Sequence, residues 1–430
     1  MSPPMSLQLT VVGTNHKHAP IDIRERLWFP PDTLAVKLQS LTKGDIDEAV
    51  ILSTCNRTEV YTISAAADRV IGDLKEALSA WSGITSNDLE PALYALTDEE
   101  ATKHLISVTS GLDSLAIGEQ QIQEQVRQAL RIANRAGTSG RVLSELFKRA
   151  DTAASKIRKQ SGFEAENISI SSAITILLRQ LSSERRIRTI LLIGAGKMIS
   201  LAAEDLSGLT EVEVLVANRT AEKARNLADR VDGRAVSMAD IPEALESADV
   251  VLTCTSAGEY VVRAEELRRA VSQRGNRELV VIDVAVPRNV DPAAKHLPGL
   301  RVYDIDDLAP LGQDLGRRFQ NKLGDAERLV DDEVQDFHSH LRRYEANDLL
   351  KDLRKVAEQI REEELSRALR KLGDVPAREK TILELLTHRI VNKLLYEPTS
   401  RLKAHATEGD GEAYEAVIRE LFDIGRPNEK

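Results

Sequence analysis

Cys55 is the residue of this sequence best suited to covalent chemistry. It lies in the stretch LSTCNRTEVY, residues 52–61, and is one of only two cysteines in 430 residues. An apolar run precedes it and Thr54, Asn56 and Arg57 surround it, so we expect it at the partly exposed end of a strand. A nearby cation lowers the pKa of a thiol and favours the nucleophilic thiolate. A lone cysteine also packs well as a small core residue, and the residues alone leave both interpretations open.

A glycine pair marks a second site for chemistry. The stretch LLIGAGKMIS, residues 191–200, places Gly194 and Gly196 after an apolar strand and before a helix. Such a turn lets backbone N–H groups approach a pyrophosphate at the helix N-terminus. The third glycine of the usual fingerprint is replaced by Ile199, so a turn without a ligand remains the alternative. The residues predicted to bind a dinucleotide here are Gly194, Ala195, Gly196, Lys197, Met198 and Ile199.

The next strand predicts which dinucleotide binds. It ends in VLVANRT, so Asn218, Arg219 and Thr220 stand where NAD-binding domains usually carry a carboxylate. A guanidinium and a hydroxyl suit a 2′-phosphate, which an acid would repel. The sequence therefore favours NADPH over NADH.

A thiol and a nicotinamide in one chain indicate thioester chemistry. The sulfur would attack an activated carboxyl group, and a hydride would then reduce the thioester to an aldehyde. The alternative is hydride transfer to a free carbonyl, with Cys55 structural. The second cysteine, Cys254, follows an apolar strand and is expected to be a core residue.

The elements that must position these residues fall into three groups. A strand over 7–14, a helix from Pro31, two strands on either side of Cys55 and helices to about 160 predict a small α/β unit. Apolar strands alternating with helices over roughly 165–312 predict a parallel sheet covered on both faces.

The strands end near residue 315, where a helical pattern begins. Apolar residues from Phe319 to Tyr344 recur in seven steps over 25 residues, which is a helical period. No glycine or proline falls between Asp325 and Gly373, so one very long helix is expected. Its apolar stripe must pack in a helical bundle or against a second copy of the chain.

Composition narrows the class of protein. A net charge of −10 argues against a general nucleic-acid binder, although a local basic face for RNA remains open. Two cysteines make no disulfide framework, and no segment has the ~20 apolar residues of a membrane span. We expect a cytoplasmic protein without membrane contact.

Two H-x-H pairs raise the question of a metal. They are His16 with His18, and His338 with His340. No cysteine or carboxylate stands at ligand spacing beside either pair, so we predict no metal site.

Several motifs together resemble the glutamyl-tRNA reductase family. They occur in that family's order over about 280 residues: GTNHKHAPIDIRE (13–25), LSTCNRTEVY (52–61), HLISVTSGLDSLAIGEQQIQEQVR (104–127), LLIGAGKM (191–198), VANRT (216–220) and DVAVPRNVDP (283–292). The resemblance implies an α/β multidomain protein. Its expected domains are an N-terminal α/β catalytic, glutamyl-binding domain (1–160), a Rossmann-type doubly wound NADPH-binding domain (161–314) and an all-helical dimerisation domain (315–430) joined by the long helix.

The resemblance also implies a reaction. Cys55 attacks the ester of glutamyl-tRNA(Glu), the tRNA leaves, and NADPH reduces the glutamyl thioester to glutamate-1-semialdehyde. This is the first step of five-carbon tetrapyrrole (5-aminolevulinate, porphyrin) biosynthesis. The implied partners are tRNA(Glu) charged with glutamate, a second copy of the chain in a homodimer, and a following glutamate-1-semialdehyde aminomutase.

Site residues are carried over from the resemblance position by position. Cys55 and His104 would be catalytic, His104 polarising the carbonyl or passing protons. Arg57 would grip the substrate carboxylate in a bidentate pair and Glu119 would hold its ammonium group. The remaining substrate-binding residues would be Thr54, Asn56, Ser114, Gln120, Gln121 and Gln125. Gln120 replaces the family's usual proline in GEPQI, so the loop geometry there is less certain.

Two other functions stay open on the sequence. One is a shikimate-dehydrogenase-like NADPH oxidoreductase, in which Cys55 would be structural. The other is a non-catalytic, dimeric tRNA-binding scaffold, against which the intact Gly194–Gly196 turn and the full thiol motif argue.

Overall fold

The computed structural model describes residues 7–115, 118–162, 170–206, 212–255, 257–275, 277–308, 310–311, 320–408 and 411–424. The chain divides after Asp331 into two compact units. No described helix is both long enough and apolar enough to span a membrane.

A four-stranded antiparallel sheet forms the N-terminal part of the first unit. Its strands are β1 (Gln8–Asn15), β2 (Ile46–Ser53), β3 (Arg57–Ser64) and β4 (Tyr94–Thr97), in the spatial order β2-β3-β1-β4. The predicted strands around Cys55 are confirmed, whereas β4 is an addition. β2 and β3 form a hairpin in which Ser53 faces Thr58, so Cys55 occupies a tight turn at the end of the sheet.

Helices cover this sheet. They are α1 (Ile21–Leu27), α2 (Pro31–Leu41), α3 (Ala67–Ser82), α4 (Ser86–Leu89), α5 (Asp98–Thr109), α6 (Gln121–Ala136) and α7 (Arg141–Ser161), with a short 3₁₀ turn at Glu90–Ala92. In α6 the apolar residues Ile122, Val126 and Ala133 share one buried face. α6 ends at Gly137, whose left-handed φ of 74° suits glycine.

A six-stranded parallel sheet forms the rest of the first unit. Its strands are β5 (Thr189–Ile193), β6 (Glu213–Ala217), β7 (Arg234–Val236), β8 (Val250–Thr253), β9 (Leu279–Asp283) and β10 (Leu300–Asp304). Their spatial order is β10-β9-β8-β5-β6-β7, which is the doubly wound arrangement. The strand order reverses between β5 and β8, and ligands bind at the carboxyl ends of the strands at such a point.

Both faces of the parallel sheet are covered by helices. These are α8 (Ile170–Glu184), α9 (Lys197–Leu206), α10 (Ala221–Arg230), α11 (Ile241–Ser247) and α12 (Ala264–Gln273), with 3₁₀ turns at Met238–Asp240 and Pro292–His296. Alternate residues of β5 enter different cores: Ile190 and Leu192 one, Leu191 and Ile193 the other. The predicted two-sided burial of the sheet is confirmed.

The second unit is helical in its described residues. The helices are α13 (Gln320–Leu372), which begins in the first unit and continues beyond Asp331, α14 (Ala377–Glu408) and α15 (Gly411–Phe422), so the predicted long helix is confirmed. Leu349 and Leu353 of α13 pack with Leu395 and Leu402 of α14 and Ile418 of α15 in one core. The apolar side chains of α14 that remain exposed include Ile382, Leu385, Leu386, Ile390 and Leu394.

The two predicted domain boundaries remain predictions. The first, between residues 160 and 161, falls at the last turn of α7. The second, between residues 314 and 315, lies outside the described residues.

Candidate active site

One cavity of about 750 Å³ brings the thiol and the glycine turn together. One wall is formed by the β2–β3 turn and by α6. The opposite wall is formed by the segments that follow β5, β6, β8 and β9. Its lining includes the predicted residues Thr54, Cys55, Gln121, Gln125, Gly194, Ala195, Gly196, Met198, Asn218, Arg219 and Thr220.

The turn that carries Cys55 is built by its neighbour Thr54. The Thr54 Oγ1 accepts hydrogen bonds from the backbone N–H groups of Asn56 and Arg57, each at 3.2 Å. The Thr54 N–H in turn donates to the Arg57 carbonyl at 2.8 Å. Because a threonine hydroxyl stabilises a tight turn in this way, Cys55 is held at the cavity while Thr54 is buried. Cys55 itself is half-buried.

The electrostatics of Cys55 correct the predicted thiol activation. Burial, followed by the nearby Glu119 carboxylate, raises the pKa of the Cys55 thiol to about 12, and Arg24 and Arg57 offset this only in part. Arg57 does lower the Cys55 pKa, as expected of a nearby cation, but burial and Glu119 outweigh it, so the net shift is upward. Cys55 is therefore a thiol in the free protein.

A fully buried carboxylate, Glu59, organises the polar groups behind the turn. It accepts hydrogen bonds from Arg57 Nη1 at 2.6 Å, from the hydroxyls of Tyr61 and Tyr94 at 2.6 Å each, and from His104 Nε2 at 2.9 Å. Although burial opposes it, the cationic and hydrogen-bonding partners hold the pKa of Glu59 well below its usual range. Sequence analysis missed Glu59, although its position two residues from Arg57 on a strand was a usable signal.

Two predicted site residues belong to this cluster. Arg57 is buried, and its second nitrogen binds Asp113, with 3.1 Å between Nη2 and Oδ2. Nη1 and Nη2 are thus both engaged within the protein, and the bidentate grip of Arg57 on a substrate carboxylate stays a prediction. His104 contacts Glu59 and, at 3.4 Å, the Tyr94 hydroxyl. Neither Arg57 nor His104 lines the cavity.

The other predicted substrate-binding residues divide by position. Gln121 and Gln125 lie on α6 and line the cavity, whereas Gln120 is exposed at the N-terminal end of that helix and does not. Asn56 is buried, and its Oδ1 accepts a hydrogen bond from Arg24 at 3.4 Å, so its side chain serves the protein interior. Ser114 is half-buried and outside the lining.

The Glu119 carboxylate acts electrostatically on the Cys55 thiol. Burial raises the pKa of Glu119 to about 7, against the opposing effects of Arg57 and then Lys197. Its charge is also the second largest cause of the raised Cys55 pKa. Glu119 therefore stands near the reacting sulfur, with a pKa that lets it change protonation near neutral pH.

The two glycines of the nucleotide turn differ in what they require. Gly194 has a φ of +117°, and a Cβ there would collide with the carbonyl oxygen of Cys254. A Cβ at Gly196 would meet nothing within 4 Å. Gly194 is thus needed by the fold, while Gly196 leaves open space at the helix N-terminus, where a pyrophosphate would approach.

The remaining predicted cofactor residues lie in different surroundings. The Ile199 side chain is buried in the hydrophobic core on one face of the sheet and outside the cavity lining, so its predicted contact with a cofactor would have to be made by its backbone. Lys197 is exposed and outside the cavity lining. Cys254, expected in the core, is half-buried and lines the cavity, with its Sγ 4.0 Å from Met198 Sδ.

The lining fits an anionic dinucleotide. Arg219 and Lys223 supply positive charge, and no described residue of the lining is Asp or Glu. Sequence analysis missed Lys223. Its place in the first turn of α10, three residues after Thr220, could have indicated a cation at the cofactor site. Nothing in the sequence indicated that the apolar residues Met238 and Val261 would also line the cavity.

Asp283 and Asn289 hold two of the loops that line the cavity. Asp283 Oδ2 accepts from the N–H groups of Asn289 and Val290 at 2.8 Å each. Asn289 Oδ1 accepts from Thr253 Oγ1 at 3.0 Å and from the Thr255 N–H at 2.7 Å. Burial raises the pKa of Asp283 to about 7. The segments after β8 and β9 are therefore fixed to each other beside the glycine turn.

The two H-x-H pairs do not assemble a larger ligand set. Among the described residues, no group of three or more His, Cys, Asp or Glu side chains could hold a metal ion. Burial and the Arg57 charge lower the pKa of His16 to about 4.

Three family models match successive parts of the chain. Residues 12–161 match the glutamyl-tRNA(Glu) reductase N-terminal domain, residues 176–311 match shikimate/quinate 5-dehydrogenase, and residues 325–424 match the glutamyl-tRNA(Glu) reductase dimerisation domain. The match to the shikimate dehydrogenase family is thus confined to the parallel-sheet region and its margins.

Whole-length relatives agree with these matches. The chain is 37% identical to the glutamyl-tRNA reductase of Syntrophotalea carbinolica, over 97% of this chain and 95% of that protein. It is 38% identical to that of Carboxydothermus hydrogenoformans, over 97% and 93%. The solved glutamyl-tRNA reductase of Methanopyrus kandleri aligns with a TM-score of 0.51 at 30% identity, covering 95% of this chain and 98% of that one. The chain belongs to the glutamyl-tRNA reductase family.

Proposed function

We propose that this protein is an NADPH-dependent glutamyl-tRNA reductase that forms glutamate-1-semialdehyde, the first step of five-carbon tetrapyrrole biosynthesis. One observation carries the proposal: the Cys55 thiol and the Gly194–Gly196 turn line the same cavity. The cavity would thereby hold both the thiol proposed to capture the acyl group and the site proposed for the hydride donor. The names of the full-length relatives supply the substrate.

The cofactor site is assigned from the cavity wall. The backbone of Gly194 to Gly196 would receive the pyrophosphate, and Arg219, Thr220 and Lys223 would surround a 2′-phosphate. The cations and the absence of acids among the described lining residues support NADPH. Bound there, the reduced nicotinamide supplies the hydride that converts the thioester to an aldehyde.

Cys55 forms the thioester by attacking the ester carbonyl of the charged tRNA. The S–C bond forms, the C–O bond to the ribose breaks, and the thiol proton ends on the leaving hydroxyl. The thiol must be activated on substrate binding, since its pKa is about 12 in the free protein. An ammonium group held by Glu119 would contribute to this, because it cancels the carboxylate charge that is, after burial, the second largest cause of the raised Cys55 pKa.

The substrate side-chain carboxylate would reach Arg57 only by replacing a present partner. Glu59 is fully buried, whereas the Asp113 side chain is 17% exposed. We therefore assign Asp113 as the group that a substrate carboxylate displaces. We assign His104, which the Glu59 carboxylate holds in place, as the residue that passes protons. Thr54 shapes the turn, while Gln121 and Gln125 present amides to the substrate.

The partners follow from the family. We propose a homodimer through the helical unit, tRNA(Glu) as the carrier of the glutamate, and transfer of the reactive aldehyde to glutamate-1-semialdehyde aminomutase. We further place the protein in the cytoplasm, in keeping with its two free cysteines.

Glutamyl-tRNA labelled in its glutamate tests the function directly. Incubated without NADPH, the protein should acquire acid-stable, thiol-labile label, and added NADPH should release it as an aldehyde. The Cys55→Ser variant should lose both, while Cys254→Ser, a second cysteine of the same cavity, should keep the labelling. Reductase activity retained in Cys55→Ser would instead indicate a shikimate-dehydrogenase-like enzyme, and absence of label on the unaltered chain would favour a scaffold.

A further inference from the structure

Helix α1 contacts both halves of the first unit. Its buried residues are Ile21, Arg24 and Leu27, which share one face of the helix. Ile21 belongs to the hydrophobic cluster of the parallel-sheet half, together with Ile305 and Leu308. This short helix of the N-terminal half thus packs directly on the nucleotide-binding half.

Arg24 joins the cysteine turn to the nucleotide-binding half. Its Nη1 donates to the Cys55 carbonyl at 2.9 Å and its Nε to the Ala19 carbonyl at 3.2 Å. Its Nη2 donates to Asp306 Oδ1, in the segment after β10. The Arg24 side chain is 2% exposed, so its contacts with the two carbonyls are shielded from solvent, whereas the Asp306 side chain is 36% exposed. A single planar guanidinium therefore fixes the backbone of the nucleophile relative to Asp306.

A second contact from the same helix reaches the loop after β9. Glu25 Oε2 accepts from Arg288 Nε at 3.0 Å and from the Arg288 N–H at 3.3 Å, and Glu25 Oε1 lies 2.5 Å from Arg288 Nη2. Asp22 adds an ion pair to the same nitrogen at 2.5 Å. The side chains of Arg288 and Glu25 are 14% and 16% exposed, so this pair is screened less than a surface pair. The segment preceding Arg288, 284–286, lines the cavity.

We propose that Arg24 is a positioning residue for Cys55, and that the Arg24–Asp306 and Glu25–Arg288 contacts, which we call the α1 clasp, hold the hydride-donor site over the acylated sulfur. The proposal rests on the proposed function. It predicts a division of labour: acylation of Cys55 needs only the N-terminal half, whereas reduction of the thioester needs both halves clasped together.

Two variants open the clasp without touching the cavity lining. Asp306→Ala removes the partner of Arg24, and Arg288→Met keeps the apolar stem but loses the charge. Each should acylate Cys55 within about twofold of the unaltered rate, while reduction of the preformed thioester falls about tenfold or more, because small misplacements of reacting groups are costly. A larger share of thioester should then be lost to water.

Two further variants separate the clasp from general damage. Arg288→Lys keeps a charge that can pair with Glu25 and should recover part of the reduction rate. Arg301→Gln removes ion pairs to Glu184 and Glu278 that lie wholly within the nucleotide-binding half, and should leave both rates unchanged.

Amide hydrogen exchange of the full chain, without tRNA, tests the coupling independently of the chemistry. In Asp306→Ala, exchange in the segment 53–57 should rise, since Arg24 is freed at one end; in Arg301→Gln it should not. Unchanged exchange in Asp306→Ala, or equal loss of acylation and reduction, would overturn the proposal. If the unaltered chain forms no acyl-protein, the proposed function fails, and the exchange result alone decides whether the clasp exists.

Discussion

At the scale of residues, the site separates a reactive group from the groups that hold it. Cys55 lines the cavity as a thiol, while its neighbours Thr54, Asn56 and Arg57 make contacts within the protein. Sequence chemistry predicted that Cys55 lies at the end of a strand and is accessible, because an apolar strand ending in polar residues exposes its last side chains. It could not predict that Asp113 also pairs with Arg57, since these two residues come together only in the folded chain.

The thiol should respond to the charge of Glu119. In a Cys254→Ser background, Glu119→Gln removes a negative charge that raises the pKa of Cys55. The pKa should therefore fall, and alkylation of Cys55 by iodoacetamide at pH 8 should accelerate about tenfold, because the thiolate fraction rises as the pKa falls. Gln120→Glu, which adds a carboxylate at an exposed neighbour, should change the rate little. A slower reaction in Glu119→Gln would contradict this electrostatic account.

The Glu59 cluster should contribute strongly to stability. Glu59→Gln leaves the buried Arg57 with only Asp113, and we expect a loss of about 3 kcal/mol in the free energy of unfolding in urea. The exposed pair of Lys75 and Glu90 supplies a control, since Glu90→Gln should cause little change.

The same variant predicts a pH dependence. Because the pKa of Glu59 is depressed in the folded protein, its stabilisation is fully present above its ordinary pKa of about 4.3 and is lost as the pH falls towards the folded value. The difference between the unaltered chain and Glu59→Gln should therefore shrink in acid. A constant difference down to pH 3 would contradict the assignment of Glu59 as the charged partner.

At the scale of elements, periodicity predicted most of what the structure shows. The strands on either side of Cys55, the parallel sheet and the 53-residue α13 follow from alternating or helical apolar patterns. The elements missed, such as β4 and α1, are four and seven residues long, so their patterns are too short to be distinguished from loops. Ile199 was predicted as a cofactor contact from its place in a motif, and helix packing buries its side chain, so only its backbone could make that contact.

The turn between β5 and α9 gives a matched pair of variants. Gly194→Ala forces a side chain into a left-handed conformation against Cys254, and we expect about 2 kcal/mol lower stability. Gly196→Ala meets no protein atom, so stability should hold while NADPH binding weakens by about tenfold, because the added methyl group stands where backbone approaches the pyrophosphate. Thermal unfolding and cofactor titration by fluorescence measure both. Unimpaired NADPH binding in Gly196→Ala would argue against this cofactor site.

At the scale of the whole molecule, the helical unit exposes an apolar stripe. Leu386 is 51% exposed and Ile390 is 48% exposed, and both lie on α14 within the match to the dimerisation domain. An exposed apolar face of this kind marks an association surface. Helical periodicity predicted an apolar stripe from Phe319 to Tyr344 on α13, where Val330, Val334 and Phe337 are buried; the exposed stripe on α14 was not predicted.

The stripe should be necessary for the dimer. Sedimentation should show two copies for the unaltered chain and for Arg389→Glu, a charge change at an exposed position of the same helix. Leu386→Glu combined with Ile390→Glu should yield monomers, because association would bury two unpaired carboxylates. A dimer that survives the double change would place the interface elsewhere.

The shared cavity has a thermodynamic consequence. One wall belongs to the antiparallel sheet and its helices, the other to the parallel sheet, and a single space of about 750 Å³ lies between them. When two molecules bind in neighbouring parts of one cavity, any change that the first makes in the affinity for the second equals the change that the second makes in the affinity for the first. Bound aminoacyl-tRNA should thus change the affinity for NADPH by the same factor by which bound NADPH changes the affinity for aminoacyl-tRNA. The same reciprocity should hold for NADP⁺, with a factor of its own.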